Sequence, residues 1–203
     1  SYRENPSGTI RINPQFYNAA EPLRLKKGTI VGTSSARRKA QLKDLNSSII
    51  TEDIRGNVPT RIKKLRDGNF GAIVLATAGL NRLKLDVSDL QVVQLHPREF
   101  VPAPAQGVLA YQTRSEDVVM RKILTQIGDI NVARRTNVER KVLKMMDGGC
   151  HLPLGVYCER DMMGNYHTWA AMANDVDGVV RRCKVSQSTF VGLSEEIFKQ
   201  LQA

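Results

Sequence analysis

Apolar and polar positions along the first hundred residues alternate between short continuous runs and helical periodicity. "GTIVGTS" (28–34) reads as a strand, and "SARRKAQLKDL" (35–45) as a helix opening at a serine cap. "SIITEDI" (48–54) is a second strand. Asn57 then caps a helix with Pro59 in its first turn, Ile62 and Leu65 facing inward, and Gly68 as its stop. "GAIVLA" (71–76) is a continuous apolar run, as expected of a parallel strand covered on both faces. "TAGLNRL" is helical and "QVVQL" (91–95) is another strand. This order predicts a parallel α/β sheet.

The pattern changes at "HPREFVPAPAQG" (96–107), whose prolines and glycine predict a linker or hinge rather than a packed element. "VLAYQTR" (108–114) resumes strand character, and "SEDVVMRKILTQI" (115–127) is helical. Thr136 and Glu139 have capping-box spacing ahead of Val142, Leu143 and Met146, with Gly148 able to end that helix. Three strands follow (154–160, 166–173, 179–185), with turns at Gly164-Asn165 and Asp177-Gly178. A last helix from Ser194 places Leu193, Ile197, Phe198 and Leu201 on one side. The pattern predicts an α/β domain, a linker or hinge, and a smaller α+β domain of helix, three strands and helix.

Composition narrows the classes. The chain has 203 residues, 41% hydrophobic and 25% charged, with no apolar run long enough to span a membrane. Its 30 basic and 20 acidic residues leave a net charge of +10, which points to an anionic partner. Aromatic residues are only 5% and are not interleaved with basic ones, which argues against base stacking and nucleic acid. Cys150, Cys158 and Cys183 form no C-x-x-C, and His96, His151 and His167 form no H-x-x-x-H. A zinc site or disulfide framework is therefore not expected, and a reducing cytoplasmic setting is the default. Cys158 and Cys183 read as core or strand thiols.

Candidate chemistry gathers where the strands of the first unit end. Thr33, Ser34, Ser35, Arg37 and Arg38 follow the first strand, Arg55 and Arg61 the second, and Arg82 the third. Ligands of open α/β sheets bind beyond these carboxyl ends. Hydroxyls, helix N-termini and arginines favour anions, and arginine grips a carboxylate with two donors. Any one of these segments alone reads equally as a cap with a solvated basic face, and Arg82 could pair with Asp86 or Asp89. Repetition at three strand ends favours a site. No G-x-x-x-x-G-K-[ST] and no G-x-G-x-x-G supports a nucleotide pocket. Cys150 stands apart, on the glycine-flanked loop of "MMDGGCHLPLG" (145–155), where neighbouring cations would favour its thiolate. A small residue filling a tight turn is the competing reading. No His–acid pair stands at a recognisable spacing.

Five ordered segments, "VGTSSARRKAQL", "IRGNVPTRIKKL", "GAIVLATAGLNRL", "VPAPAQGVLAYQTR" and "ERKVLKMMDGGCHLPLG", resemble the signature segments of the porphobilinogen deaminases (hydroxymethylbilane synthases). The resemblance implies a transferase of haem biosynthesis, with an α/β unit of periplasmic-binding-protein type (1–100), a hinge and segment returning to a largely absent first domain (101–130), and an α+β cofactor-attachment domain (131–203). Such an enzyme condenses four porphobilinogen units, with loss of ammonia, onto a cysteine-linked dipyrromethane primer. It further implies that Cys150 carries the dipyrromethane as a thioether, with Ser35, Arg37, Arg38 and Arg55 binding cofactor carboxylates. Thr33, Arg61 and Arg82 would bind those of substrate and growing chain. The family's catalytic aspartate belongs to an N-terminal H-S-x-K-D segment that nothing here matches, so the catalytic residue is unknown and this chain is expected to be inactive alone. The full-length protein is expected to be cytoplasmic and monomeric, acting on polypyrrole carboxylates. The rival reading is a non-catalytic polyanion-binding module using the same arginines; a basic nucleic-acid-binding protein is a third.

Overall fold

The computed structural model of the chain describes residues 2, 3, 6–147, 149 and 151–203. A two-residue strand, β1 (Tyr2–Arg3), precedes β2 (Gly8–Ile12), β3 (Ile30–Gly32), α1 (Ala36–Leu45), β4 (Ile50–Glu52), α2 (Val58–Arg66), β5 (Ala72–Ala76), α3 (Thr77–Leu83) and β6 (Gln91–Leu95). Five of these strands form one sheet in the order β4-β3-β5-β2-β6. β3 runs parallel to β4 and β5, whereas β2 runs antiparallel to both β5 and β6. The sheet is therefore mixed, not parallel as expected. The difference is β2, "GTIRI", a five-residue stretch in a polar region that the apolar pattern did not single out.

Strand alternation divides the core of this sheet in two. Ala72 and Val74 of β5 face Ile10, Ile12, Val31, Leu42 and Leu95. Ile73 and Leu75 face the other way, onto Ile54, Ile62, Leu65, Phe70 and Leu80. β5 is covered on both faces, which explains its unbroken apolar run. Each fully buried aliphatic side chain here contributes about 1.5–3 kcal/mol. α1 and α2 start where the sequence placed them. Ser35 Oγ accepts from Arg38 N (3.4 Å), and the Asn57 side chain accepts from Thr60 N (3.0 Å).

The rest of the chain comprises β7 (Val108–Leu109), α4 (Val118–Gln126), α5 (Ile130–Met145), β8 (Leu154–Arg160), β9 (Tyr166–Met172), β10 (Arg181–Gln187) and α6 (Leu193–Gln202). Residues 96–107 lack regular structure as expected, yet Phe100 and Val101 are buried, so the stretch is packed after all. β7 pairs antiparallel with β1 and stops after two residues; 110–114 are not strand. No residue of α4 is buried. The helix expected to be capped by Thr136 is capped seven residues earlier by Asp129, whose side chain accepts from Asn131 N and Val132 N. Thr136 sits mid-helix with its hydroxyl on Val132 O (2.9 Å), and Glu139 points into the interior instead of capping. β8, β9 and β10 form an antiparallel sheet in the order β10-β9-β8, packed by α5 and α6 through Val142, Leu154, Val156, Leu193, Ile197 and Leu201. β10 starts at Arg181, two residues later than expected. Gly148, the expected helix stop, and Cys150 lie outside the described residues.

Candidate anion site at the strand ends

Thr33, Ser34, Ser35, Arg37 and Arg38 lie around the start of α1, and Arg61 of α2 is close enough to Arg38 to disfavour its charge. Ser34 stitches the loop after β3 to the end of β4, donating to Ile54 O (2.8 Å) and accepting from Ile54 N (3.0 Å). Thr33 is buried, and its hydroxyl accepts from Ser35 N (3.4 Å), so both serve to shape the turn. Arg37 is only 6% exposed. It donates to Val101 O (2.7 Å) and to Gln106 Oε1 (3.4 Å). Arg38 reaches across the sheet end to Val74 O (2.8 Å). Arg61, half-buried on α2, spends its Nε on Gly56 O (2.8 Å), and Arg55 is exposed on the loop before it. Arg82 lies exposed on α3, while Asp89 is gripped by Arg66 at 2.6 and 2.8 Å.

The electrostatics of this cluster follow from burial and like charge. Burial, then the neighbouring Arg38, pushes the Arg37 pKa down to about 9. Burial, then Arg61, pushes that of Arg38 down to about 10. Both cations thus sit partly dry beside other cations, an arrangement that a bound anion would relieve. At the rim, Lys39 pairs with Asp53 (2.7 Å), an exposed contact of small energetic weight.

Two structural features escaped the sequence reading. Gln41 is buried one turn beyond Arg37; its side chain accepts from Val101 N (2.7 Å) and donates to Val101 O (3.0 Å). Arg37 and Gln41, spaced i and i+4, therefore hold the same peptide from one face of α1. The next peptide joins the C-terminal sheet, since Val156 N donates to Pro102 O (3.0 Å). That approach is close enough that a Cβ on Gly155 would lie 2.5 Å from Val101 O. The second feature is an ion pair between Arg3 and Glu139, with Nη1 to Oε1 at 2.7 Å and Nη2 to Oε2 at 3.3 Å. Glu139 also accepts from Cys158 N (2.8 Å) and Ala105 N (2.7 Å). Burial pushes its carboxyl pKa up, and Arg3 and the two amides oppose that push.

Cys158 and Cys183 lie in strands, as expected, and burial raises their thiols to about 12 and about 11. A His–acid pair does exist: His167 Nε2 lies 2.9 Å from Asp161 Oδ2 and Nδ1 lies 2.8 Å from Ser186 Oγ. It bridges the β8–β9 turn and the β9–β10 register, a juxtaposition that linear spacing does not reveal. Among the described residues no cluster of His, Cys, Asp or Glu is suited to a metal ion, and no helix is long and apolar enough to cross a membrane.

Fold and site together define an α/β protein with a basic strand-end cluster that shares its hinge with an α+β unit. Comparison with known proteins gives the particular family. Residues 3–122 match the family model described as "Porphobilinogen deaminase, dipyromethane cofactor binding domain". The chain belongs to the porphobilinogen deaminase family. A probable porphobilinogen deaminase of Methanocella arvoryzae is 45% identical over 143 residues, covering 70% of this chain and 46% of the relative. The porphobilinogen deaminase of Streptococcus sanguinis is 38% identical over 178 residues, covering 87% and 55%. That of Gloeobacter violaceus is 38% identical over 185 residues, covering 90% and 55%. The chain thus spans about half the length of the curated relatives it matches. Among solved structures, a Salmonella typhimurium periplasmic binding protein with high arginine specificity is similar at 13% identity and a TM-score of 0.41, covering 66% of this chain and 62% of that one. A likeness of that size adds nothing to the fold described above. The matched family stretch contains Ser35, Arg37, Arg38, Arg55, Arg61 and Arg82 and ends before Cys150.

Proposed function

We propose that this chain carries the cofactor-holding part of a porphobilinogen deaminase. In this reading, Cys150 bears a dipyrromethane through a thioether, and Ser35, Arg37, Arg38 and Arg55 receive its carboxylates. Arg61, Arg82 and the Thr33 turn serve the growing chain. The observation that carries the reading is the crowding of Arg37, Arg38 and Arg61. Burial and a neighbouring arginine depress the pKa values of two of them, Arg38 acting on Arg37 and Arg61 on Arg38, which suits a ligand bearing several carboxylates. The rival reading, a polyanion-binding module without covalent chemistry, gains nothing from the family match.

The residues fit such a group. Arg38 and Arg61 would clamp carboxylates, Ser35 would hold the start of α1 in register, and the helix N-terminus would add its amides. When bound, dipyrromethane supplies the nucleophilic pyrrole carbon onto which porphobilinogen units condense with loss of ammonia. The chain's own part is to orient the carboxylates and to lower the cost of gathering several of them. We place the functional boundaries at 1–100 for the anion-binding unit, 101–130 for the hinge and returning segment, and 131–203 for the unit bearing Cys150. Asp53, the carboxylate at the rim of the cluster, is exposed and paired with Lys39, so it does not serve as a sheltered partner for a cationic pyrrole. The chain alone is accordingly expected not to turn over porphobilinogen.

Intact mass spectrometry tests the attachment in the full-length protein. Cys150→Ser should abolish the dipyrromethane increment, while Cys158→Ser and Cys183→Ser should keep it. An increment retained by Cys150→Ser would refute the assignment.

A further inference from the structure

Helix α1 carries the anion cluster at its N-terminal end, and its other end is held by the C-terminal sheet. Arg182 of β10 donates Nε and Nη2 to Asp44 Oδ2 (3.2 and 2.8 Å), and Nη1 to Glu99 O (2.6 Å). Both side chains are 33% exposed, so this contact is more sheltered than the neighbouring pair of Lys43 with Asp177, whose carboxylate is 72% exposed. Glu99 leads within two residues to Val101, the residue that Arg37 and Gln41 grip. The contacts form a closed ring: Asp44 to Arg182, Arg182 to Glu99, the chain to Val101, and Val101 back to Arg37 and Gln41 on α1. A ten-residue helix is about 15 Å long, so a tilt allowed at Asp44 is felt at Ser35.

We propose that Arg182 is a positioning residue: by fixing the Asp44 end of α1 it sets the placement of Ser35, Arg37 and Arg38, and the C-terminal sheet thereby tunes anion affinity. The proposal rests on the anion-site reading for its effect on affinity, but not for its effect on α1. The guanidinium suits the role because its planar fork makes three directed bonds to two segments at once, which neither lysine nor glutamine reproduces. These hydrogen bonds of Arg182 end at Asp44 and Glu99, so its influence on the anion cluster runs through the helix and the hinge peptide.

The test uses the chain as it stands, with Arg182→Gln, Asp44→Asn and the charge-swapped double variant Arg182→Asp/Asp44→Arg. Arg66→Gln, which removes an exposed pair with Asp89, is the control. Hydrogen exchange at the Arg38 and Lys39 amides of the unliganded chain should quicken about three- to fivefold in each single variant, in keeping with the loss of one partly sheltered ion pair. The dissociation constant for butanetetracarboxylate should rise by a similar factor. The swap should restore part of each, since it remakes the link between positions 44 and 182 but not the bond to Glu99 O, and Arg66→Gln should alter neither. Unchanged exchange in Arg182→Gln, or no recovery in the swap, would overturn the proposal. Faster exchange without altered affinity would overturn its functional half. A wild-type chain that shows the exchange pattern but binds no tetracarboxylate would sink the anion reading, and leave the positioning of α1 standing.

Discussion

Two groups of sheltered arginines in this molecule differ in one respect: one has a carboxylate and the other does not. The Arg3 side chain is 4% exposed and meets that of Glu139, itself fully buried, which two backbone amides also satisfy. Arg37 and Arg38 are held by carbonyl oxygens and a glutamine, beside each other and Arg61. The first arrangement is complete in itself and ties β1, the hinge and β8 to α5. The second has only cations beside it, and a ligand with carboxylates would complete it. Burial alone does not mark a functional arginine; burial without a partner of opposite sign makes one a candidate.

The contrast makes opposite predictions for the two groups. Glu139→Ala strands Arg3 in the interior and should cost about 3–5 kcal/mol of stability, as should Arg3→Met, measured by urea unfolding. Retention of wild-type stability in both would show that the pair is not a structural clasp. The thiols follow the same division. Cys158, whose amide donates to Glu139, and Cys183 have pKa values of about 12 and about 11, so near neutral pH they are almost wholly protonated. In the native chain iodoacetamide should label Cys150 at least about 100-fold faster than either, as peptide mapping after timed quenching would show. Equal labelling would place Cys150 in surroundings like theirs.

For the unneutralised group the expectation reverses. Arg38→Met removes a cation that burial and Arg61 already disfavour, so stability should change by no more than about 1 kcal/mol. A loss as large as that of Arg3→Met would make Arg38 structural and erase the comparison. The smallest effect belongs to a carboxylate with a partner near the surface. The hydrogen bond from His167, foremost, holds the Asp161 pKa down to about 2. Its native pKa lies below its unfolded one, so its stabilisation is present above about pH 4 and is lost as pH falls toward 2. Asp161→Asn should flatten that part of the thermal-stability profile; an unchanged acid limb would mean that the His167 contact adds nothing.

Local chemistry explains what could be read in advance. The caps at Ser35 and Asn57, the apolar run of β5 and the three-strand unit with its turns all depend on neighbours close in sequence. β2 was missed because its apolar positions, Ile10 and Ile12, gain meaning only between β5 and β6, more than sixty residues away. The start of α5 was misplaced because Thr136 and Glu139 have the spacing of a capping box. Burial of Glu139 against Arg3, 136 positions apart, decided its role instead. In the site, the arginines were legible as a repeated pattern at strand ends. The hold of Arg37 and Gln41 on Val101 was not, because the "VPAPAQG" stretch advertises flexibility while its backbone groups are fixed by side chains from α1.

The central claim is that the strand-end arginines, with Arg38 at the start of α1 among them, form a carboxylate site, while Arg3 is structural and Arg66 superficial. Calorimetric titration of the chain with butanetetracarboxylate at low ionic strength tests it most directly, comparing wild type with Arg38→Met and with Arg66→Met. The account predicts measurable binding by wild type, a loss of about tenfold or more in Arg38→Met, as expected for one charge-assisted contact, and no change in Arg66→Met. Equal weakening in both variants, or none in Arg38→Met, would show that the chain attracts anions only through its net positive charge and would contradict the site.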